Sequence, residues 1–280
     1  MSKLLLPQDL PELLRHVQGL PQPAVIAIAG GSSTGKSTHV AAPLHDALGE
    51  SAALIAQDMQ QGLRSRGLAH ALRWDAPENY GLAETAEAIR SFRVGKCFEW
   101  PTWSFLDQSH GPSRTILPAG VLLVEGLYAA YGPLAAAADL IVYVEARAIV
   151  RLLRRVLRNA YERYPGQAAP GRSAASFLDT VLRAHEHCVR PQRADADLIV
   201  ETDPTFEPLR ARFELPALKP PPPIAVQRRI EIDPETYASL VETTAGTVHL
   251  RVESSEVCYV DLAIDSQTAQ RLVEFDADAR

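Results

Sequence analysis

The hydrophobic pattern of the first 201 residues alternates between two kinds of segment. Short, mainly apolar runs of the length of a β-strand lie at 24–29, 52–56, 121–126, 140–144 and 197–201. Apolar runs of this kind are typical of parallel strands that are covered on both faces. Residues 9–20 and 82–92 instead repeat apolar side chains every three or four positions, which predicts helices. This alternation predicts an α/β fold with a doubly wound parallel sheet.

A further helix is predicted over 148–160, and its two faces differ in chemistry. Apolar side chains share one face: Ile149, Leu152, Leu153, Val156 and Ala160. Arginines share the other face: Arg151, Arg154, Arg155 and Arg158. Guanidinium groups bind phosphate oxygens well, and four like charges with no acid between them repel one another. We therefore expect the arginine face to contact an anion, with an ordinary solvated face as the alternative.

Four consecutive prolines at 220–223 predict a stiff spacer and a domain boundary. Beyond them, strand-like runs lie at 224–232, 248–252 and 257–264, and 266–275 has helical spacing. Asp233-Pro234 has the form of a helix start. We expect a large α/β domain over 1–219 and a small α+β appendage over 224–280. The appendage carries no chemical motif, so packing on the core or formation of a homo-oligomer is its expected role.

The loop after the first strand carries the clearest chemical motif. Residues 30–37 fit G-x-x-x-x-G-K-[ST], the P-loop that surrounds nucleotide phosphates with backbone N–H groups. A predicted helix over 37–48 would direct its positive N-terminal end at the phosphates. Lys36 would reach the β- and γ-phosphates, and the Ser37 hydroxyl would coordinate Mg²⁺. The predicted nucleotide contacts are Gly30, Gly31, Ser32, Ser33, Thr34, Gly35, Lys36, Ser37 and Thr38.

Two acids follow predicted strands at the same edge of the sheet as the P-loop, as expected for a P-loop NTPase-type fold. Asp58 comes just after the strand at 52–56, and Glu125 lies at the end of the strand at 121–126. Ligands of open α/β sheets bind at the carboxyl ends of the strands. Glu125 occupies the position at which kinases with this loop hold Mg²⁺, directly or through water. The alternatives are a turn cap for Asp58 and a helix cap or solvated strand end for Glu125.

Two aromatic segments are candidates for contact with a substrate. Trp74-Asp75-Ala76-Pro77 is rich in turn-forming residues, and 96–116 has few periodic signals. The second segment carries Trp100, Trp103, Phe105, Asp107, His110 and Arg114. Such a stretch is compatible both with the wall of a substrate site and with a loop folded over a core.

Composition narrows the classes of partner. The chain of 280 residues has a formal net charge of −6, whereas proteins that bind nucleic acids or membrane surfaces favour a basic face. No apolar run approaches the length of a membrane span, and 1–6 is too short for a signal peptide. Three scattered cysteines, Cys97, Cys188 and Cys258, fit a reducing compartment. We expect a cytoplasmic protein with no nucleic-acid or membrane partner.

Taken together, these residues resemble the uridine kinase and phosphoribulokinase family of P-loop kinases, which also includes bacterial pantothenate kinase. The resemblance runs from about residue 25 to residue 201 as an ordered series of motifs. The series comprises the P-loop, Gln57-Asp58, Trp74-Asp75-Ala76-Pro77, Val124-Glu125-Gly126 and the arginine-rich segment 154–159. The resemblance implies ATP, Mg²⁺ and a small-molecule acceptor. It also implies that Asp58 is the general base, that Asp75 holds ribose hydroxyls, and that a lid contributes Arg155, Arg158 and Arg163.

The chain departs from the family in the acceptor-binding loop. Trp103-Ser104-Phe105 stands where the family has a Tyr-Asp-Phe-like triplet, so an acid is absent from this position. The candidate acceptor contacts besides Asp75 are Trp74, Trp103, His110 and Arg114. We expect a kinase that transfers the γ-phosphate of ATP to a nucleoside hydroxyl, as in uridine or cytidine. A sugar phosphate, pantothenate or another polyol is the alternative acceptor, and an ATP-binding regulatory protein without an acceptor is the alternative of another class.

Overall fold

The structure is a computed structural model, and it describes residues 3–61, 75–164, 170–202, 206–215, 217–218, 225–232, 234–243, 247–254 and 257–278. Contacts within the chain divide it into two compact units. The first unit contains Met1–Ala146 and Arg183–Thr202, and the second contains Arg147–Leu182 and Asp203–Arg280.

The strands and helices are numbered in chain order. The strands are β1 (Lys3–Leu5), β2 (Ala24–Gly30), β3 (Ala52–Ala56), β4 (Phe98–Trp100), β5 (Trp103–Ser104), β6 (Ser109–His110), β7 (Arg114–Ile116), β8 (Val121–Gly126), β9 (Leu140–Glu145), β10 (Leu198–Glu201), β11 (Ala225–Glu231), β12 (Tyr237–Glu242), β13 (Val248–Glu253) and β14 (Cys258–Ile264). The α-helices are α1 (Leu10–Gln18), α2 (Ala42–Leu48), α3 (Leu82–Arg93), α4 (Pro133–Ala137), α5 (Ala148–Arg158), α6 (Pro170–Ser176), α7 (Leu182–Ala184), α8 (Phe206–Phe213) and α9 (Ser266–Asp278). Wider π-helical turns occupy Lys36–Ala41, Asn159–Arg163, Phe177–Val181 and His185–Val189, and 3₁₀ turns occupy Pro7–Asp9, Gly49–Ser51, Gln57–Met59, Pro77–Asn79 and Arg190–Asp195.

A parallel sheet forms the centre of the first unit. Within the described part of the chain it has six strands, in the order β1-β10-β9-β2-β8-β3. Both faces of this sheet are covered, because successive residues of β2 belong to two different hydrophobic clusters. Val25, Ala27 and Ala29 pack in one cluster, and Ala24, Ile26 and Ile28 pack in the other. This two-sided burial explains the continuous apolar runs in the sequence, and it confirms the predicted parallel α/β fold.

The order of the strands brings the predicted chemistry together. β8 lies between β2 and β3, and Glu125 is level with Ile28 on one side and with Ala56 on the other. The P-loop follows β2, and Asp58 follows β3. All three features therefore lie at the carboxyl edge of three adjacent parallel strands.

The segment 96–116 has more regular structure than its sequence indicates. β4 pairs with β7, and β5 pairs with β6, each pair antiparallel. These strands are only two or three residues long. Strands this short are too brief to display the alternation of polar and apolar residues by which a strand is recognised in a sequence.

The second unit has an antiparallel sheet in the order β11-β12-β13-β14. α6 contacts β14, and α9 contacts both β13 and α5. Three of its strands and its last helix agree with the predicted runs, whereas β12 was not predicted. Asp233 of the expected helix start lies outside the described residues, and no helix follows within the described residues 234–243, where Tyr237–Glu242 pairs as a strand with both β11 and β13.

The division into units differs from the predicted boundary at 219–224. Helices α5 and α6 are grouped with the C-terminal strands, and polar contacts accompany this packing. The Arg147 guanidinium donates to the carbonyl oxygens of Glu231, at 2.9 Å, and of Ile232, at 3.2 Å. Arg271 of α9 forms an ion pair of 2.5 Å with Asp179. A separate appendage over 224–280, and a homo-oligomer formed through it, stay predictions.

Helix α5 has no open arginine face. Arg151, Arg154 and Arg155 are 2%, 8% and 9% exposed, and the Arg151 guanidinium lies 5.6 Å from the centre of the Phe177 ring. The expectation that only the apolar face of this helix is buried is therefore wrong. The long aliphatic stem of arginine packs well against apolar groups. Phe177, which contacts Arg151, is distant in the sequence, so the periodicity of the helix could not indicate this contact.

Among the residues that the structure describes, no helix has both the length and the apolar character needed to cross a membrane.

Candidate active site

The P-loop is shaped by two glycines in left-handed conformations. Gly30 ends β2 with a φ of 145°, and Gly35 precedes the helical turn with a φ of 89°. A Cβ atom at Gly30 would also collide with the backbone carbonyl of Val144 on the neighbouring strand β9. Only glycine satisfies both the conformation and the close approach of the backbones.

Side chains within the P-loop bind the loop's own backbone. The Lys36 ammonium donates to the Gly31 carbonyl oxygen at 3.1 Å, and the Thr34 hydroxyl donates to the same oxygen at 3.0 Å. The Thr202 hydroxyl, just after β10, donates to the Thr34 carbonyl oxygen. The loop is therefore preformed, and Thr202 is a supporting residue that no local motif indicates.

Ser37 and Glu125 form the candidate metal site. The Ser37 hydroxyl donates a hydrogen bond of 2.9 Å to Oε1 of Glu125. Ser37 is exposed and Glu125 is half-buried, so a ligand can reach both oxygens. A hydroxyl and a carboxylate are oxygen donors of the kind that Mg²⁺ prefers, and Mg²⁺ is usually bound by one or two such protein groups together with substrate phosphates. The donor chemistry therefore fits the expected ion.

Asp58 is anchored through one of its two carboxylate oxygens. Oδ1 accepts a hydrogen bond of 2.7 Å from the backbone N–H of Leu127, directly after the Glu125-Gly126 pair. The carboxylate lies close against Gly126, since a Cβ atom there would lie 2.8 Å from Oδ1. Oδ2 makes no hydrogen bond with another described residue, and Asp58 is only half-buried. This geometry fixes the carboxylate and leaves one oxygen available to a substrate proton.

Asp75 is buried between two tyrosines. It is 5% exposed, the Tyr80 hydroxyl lies 3.4 Å from its Oδ1, and the Tyr128 hydroxyl donates to its carbonyl oxygen. Trp74, which precedes it, lies outside the described residues. One phenol therefore faces the carboxylate and the other bonds the backbone of the same residue, a more specific environment than that of an ordinary turn-forming aspartate.

The candidate aromatic wall is a hairpin. Trp103 of β5 pairs with His110 of β6, and the two rings meet edge to face with centres 5.2 Å apart. Trp103 is buried, whereas His110 is exposed. The Arg114 side chain instead donates to the carbonyl oxygen of Leu54, in the middle of β3. The structure thus brings Trp103 and His110 together and ties Arg114 to the backbone of the sheet.

The three predicted lid arginines belong to the second unit, whereas the other predicted site residues in the described ranges belong to the first. Arg155 is buried within α5, and Arg158 ends that helix with a half-buried side chain. Arg163 ends the following π-helical turn and is also half-buried.

Two residues near the carboxyl edge were missed by sequence reasoning. Tyr128 is fully buried, and burial raises the pKa of its phenol far above the usual value. Gln192 is 3% exposed and bonds the backbone of the segment that includes Tyr128, at Leu127 and Ala130. The position of Tyr128 two residues after the Glu-Gly strand end was an available signal for it, whereas nothing local distinguishes Gln192.

Comparison with known proteins adds sequence relatives for most of the first 207 residues. The model of the phosphoribulokinase / uridine kinase family matches residues 25–207. A uridine kinase of Staphylococcus epidermidis (strain RP62A) is 31% identical over 189 residues, which cover 64% of this chain and 87% of the relative. A uridine kinase of Halobacterium salinarum is 32% identical over 180 residues, covering 62% and 78%.

Two solved structures have a similar fold. A candidate fructose transport system kinase from Silicibacter sp. TM1040 matches with a TM-score of 0.55 at 21% identity, covering 68% of this chain and 98% of the other. A candidate uridine kinase from Bacillus stearothermophilus matches with a TM-score of 0.50 at 16% identity, covering 69% and 97%. At these identities the likeness shows the fold alone.

Proposed function

The chain belongs to the phosphoribulokinase / uridine kinase family, and we propose that it transfers the γ-phosphate of ATP to a hydroxyl group of a nucleoside. Family membership makes it a kinase-type protein with a small-molecule substrate. One observation carries the proposal: the residues at and just after the end of β8 contact both the proposed metal position and the proposed general base. Glu125 bonds Ser37 at the metal position, and the N–H of Leu127 bonds the Asp58 carboxylate.

The P-loop would bind the triphosphate. Its backbone N–H groups would surround the phosphates, and the Lys36 ammonium would leave the Gly31 carbonyl for the β- and γ-phosphate oxygens. Ser37 and Glu125 would hold Mg²⁺, which would supply positive charge to neutralise the phosphates. Because the loop is already folded, nucleotide binding requires little rearrangement of its backbone.

Asp58 would act as the general base. Its anchored oxygen fixes the direction of the carboxylate, and its second oxygen would accept the proton of the attacking hydroxyl as the new O–P bond forms. The hydroxyl would attack in line with the bond between the γ-phosphorus and the bridging oxygen, and that bond would break as ADP leaves with its electron pair. Gly126 lies against this carboxylate, so a side chain at 126 would displace it from that position.

Arg155, Arg158 and Arg163 would neutralise the negative charge on the transferring phosphoryl group. Planar guanidinium groups pair with phosphate oxygens at two points, and an arginine of this kind accelerates phosphoryl transfer strongly. This assignment rests on the family resemblance and on the charge of the segment.

The acceptor would be held by Asp75 and by the hairpin that carries Trp103 and His110. A buried carboxylate accepts two hydrogen bonds from vicinal hydroxyls, and flat aromatic rings pack against a nucleobase. Trp74 and Arg114 complete the proposed contacts. A sugar phosphate, pantothenate or another polyol is the alternative acceptor, because Ser104 replaces the acid of the family's triplet.

An ADP-release screen tests the proposal. Purified protein, MgATP and single acceptors are mixed, with uridine, cytidine, pantothenate and sugar phosphates as the panel. We expect ADP release that depends on uridine or cytidine, that is abolished by Lys36→Ala and that yields the nucleoside monophosphate. Release that depends on another member of the panel would change the acceptor class. A slow rate that is the same with every acceptor would overturn the kinase proposal in favour of an ATP-binding regulator.

A further inference from the structure

The segment from Glu125 to Tyr128 contains one acid of the proposed reaction and bonds the other two, Asp58 and Asp75. Glu125 bonds Ser37, and the N–H of Leu127 bonds Asp58. The N–H of Tyr128 bonds Oε1 of Gln57 at 3.2 Å, and the Tyr128 hydroxyl bonds the carbonyl oxygen of Asp75. Four consecutive residues therefore connect the metal position, the base and the buried acid of the acceptor site.

Tyr128 is the member of this segment whose side chain makes a polar contact that the proposed chemistry does not use. It is completely buried, and its ring packs against those of Tyr80 at 5.3 Å and Tyr131 at 5.4 Å. Burial, together with the charges of Asp75 and Asp58, raises the pKa of the phenol. The raised pKa favours the protonated phenol, the form that donates to the Asp75 carbonyl oxygen.

The backbone that carries Tyr128 is itself fixed. Gln192 donates from Nε2 to the Leu127 carbonyl oxygen at 2.8 Å and accepts at Oε1 from the Ala130 N–H at 3.1 Å. The amide orientation of Gln192 follows from this pair of contacts, since one requires a donor and the other an acceptor. A rigid backbone and a buried ring leave the Tyr128 hydroxyl at a fixed position relative to the N–H that anchors Asp58.

We propose that Tyr128 is a positioning residue that fixes Asp75, and through it the acceptor, relative to the Asp58 base. The effect of Tyr128 on catalysis rests on the proposed function, whereas its effect on the position of Asp75 does not. Attack on the γ-phosphate requires the hydroxyl oxygen within about 3–3.5 Å of phosphorus, so the distance between the base and the acceptor-holding acid matters. The bond from the Leu127 N–H to Asp58 and the bond from the Tyr128 hydroxyl to the Asp75 carbonyl oxygen tie both acids to adjacent residues of one chain segment.

The test is Tyr128→Phe, which removes the hydroxyl and keeps the ring. We expect the KM of the acceptor to rise by about five- to tenfold, the scale of one lost hydrogen bond, with the KM of ATP unchanged. Tyr131→Phe is the matched control, because Tyr131 packs on Tyr128 and its hydroxyl has no partner among the described residues. The control should leave both KM values unchanged.

A double substitution separates positioning from a merely structural role. If Tyr128 acts through Asp75, adding Tyr128→Phe to Asp75→Asn should raise the acceptor KM by far less than it does in the wild type. Additive effects, an equal effect of Tyr131→Phe, or an unchanged acceptor KM in Tyr128→Phe would overturn the proposal.

Amide hydrogen exchange keeps the inference testable if no acceptor is found. Residues 75–82 should exchange faster in Tyr128→Phe than in the wild type or in Tyr131→Phe, because Asp75 has lost a donor to its backbone. Faster exchange without any acceptor-dependent activity would contradict the proposed function and retain the positioning role. Unchanged exchange would contradict the positioning role, whatever the reaction.

Discussion

The Ser37 hydroxyl donates to Oε1 of Glu125 over 2.9 Å, although 88 residues separate the two in the chain. The contact follows from the sheet, because Glu125 is level with Ile28 on the adjacent strand and the P-loop begins after Gly30. The pairing of β8 with β2 therefore places the proposed metal-binding carboxylate of Glu125 beside the start of the P-loop.

Glu125→Gln tests the metal position. The amide keeps an oxygen that can accept from Ser37 but loses the negative charge that attracts Mg²⁺. We expect the Mg²⁺ concentration for half-maximal ADP release to rise by about tenfold or more. Changes to residues that support a metal site commonly lower metal affinity by this factor. Glu145→Gln is the control, since this acid ends strand β9 of the same sheet and pairs with Arg193 instead. An unchanged Mg²⁺ requirement in Glu125→Gln would remove the residue from the metal site.

Asp58→Asn tests the general base. The amide retains the shape of the side chain and can still accept from the N–H of Leu127, but it cannot take a proton. Turnover should fall by about 10²- to 10⁴-fold with little change in the KM of ATP. Asp46→Asn is the control, because it makes the same change at an exposed aspartate. We expect it to leave turnover unchanged. If Asp58→Asn turns over at the wild-type rate, the proton leaves by another route.

Gly126→Ala tests the placement of the same carboxylate. The added Cβ would lie 2.8 Å from Oδ1 of Asp58 and 2.8 Å from Cβ of Gln57, so Asp58 or its turn must shift. A displacement of about 1 Å at a reacting group costs on the order of 10²-fold, and we expect kcat to fall to that extent. At Gly120 an added Cβ meets only the end of the Gln22 side chain, so Gly120→Ala is the matched control. Equal rates in the two variants would show that Asp58 is not held against Gly126.

The sheet and the phosphate loop were predictable because their signals are local. An apolar run between turn residues identifies β2, and eight consecutive residues identify the loop that follows it. The environment of Asp75 was not predictable, because its partner Tyr128 is 53 positions away. Gln192 likewise acts on Leu127 from a distance of 65 positions, and a glutamine has no pattern that marks it as buried.

The arginine helix illustrates the same limit in packing. Its periodicity separates an apolar face from a charged face, and the helix predicted over 148–160 forms as an α-helix at Ala148–Arg158 that continues as a π-helical turn. Whether the charged face meets solvent depends on what covers it, and Phe177 lies over Arg151. Periodicity describes one helix alone, so the burial of its charged face required the structure.

Asp265 caps the N-terminus of the last helix, α9. It precedes α9, and its Oδ1 accepts from the Thr268 N–H at 2.8 Å while its Oδ2 accepts from the Thr268 hydroxyl at 2.6 Å. These bonds, first that of the hydroxyl and then that of the N–H, lower the pKa of Asp265 below its usual 3.8. The ionised carboxylate is therefore the form that caps the helix.

Asp265→Ala should lower the free energy of unfolding by about 1 kcal/mol at pH 7, the usual cost of a lost N-terminal cap. Because the folded pKa is lowered, the carboxylate's contribution is complete above the unfolded value and is lost as the pH falls through the folded value. The difference between wild type and Asp265→Ala should shrink below about pH 4. Urea unfolding followed by circular dichroism at pH 7, 5 and 3.5 measures it. Asp265→Asn, which keeps a capping oxygen without the titrating proton, should recover most of the loss at pH 7 and show no such acid dependence. A cost for Asp265→Ala that is the same at every pH would assign the stabilisation to packing rather than to the ionised cap.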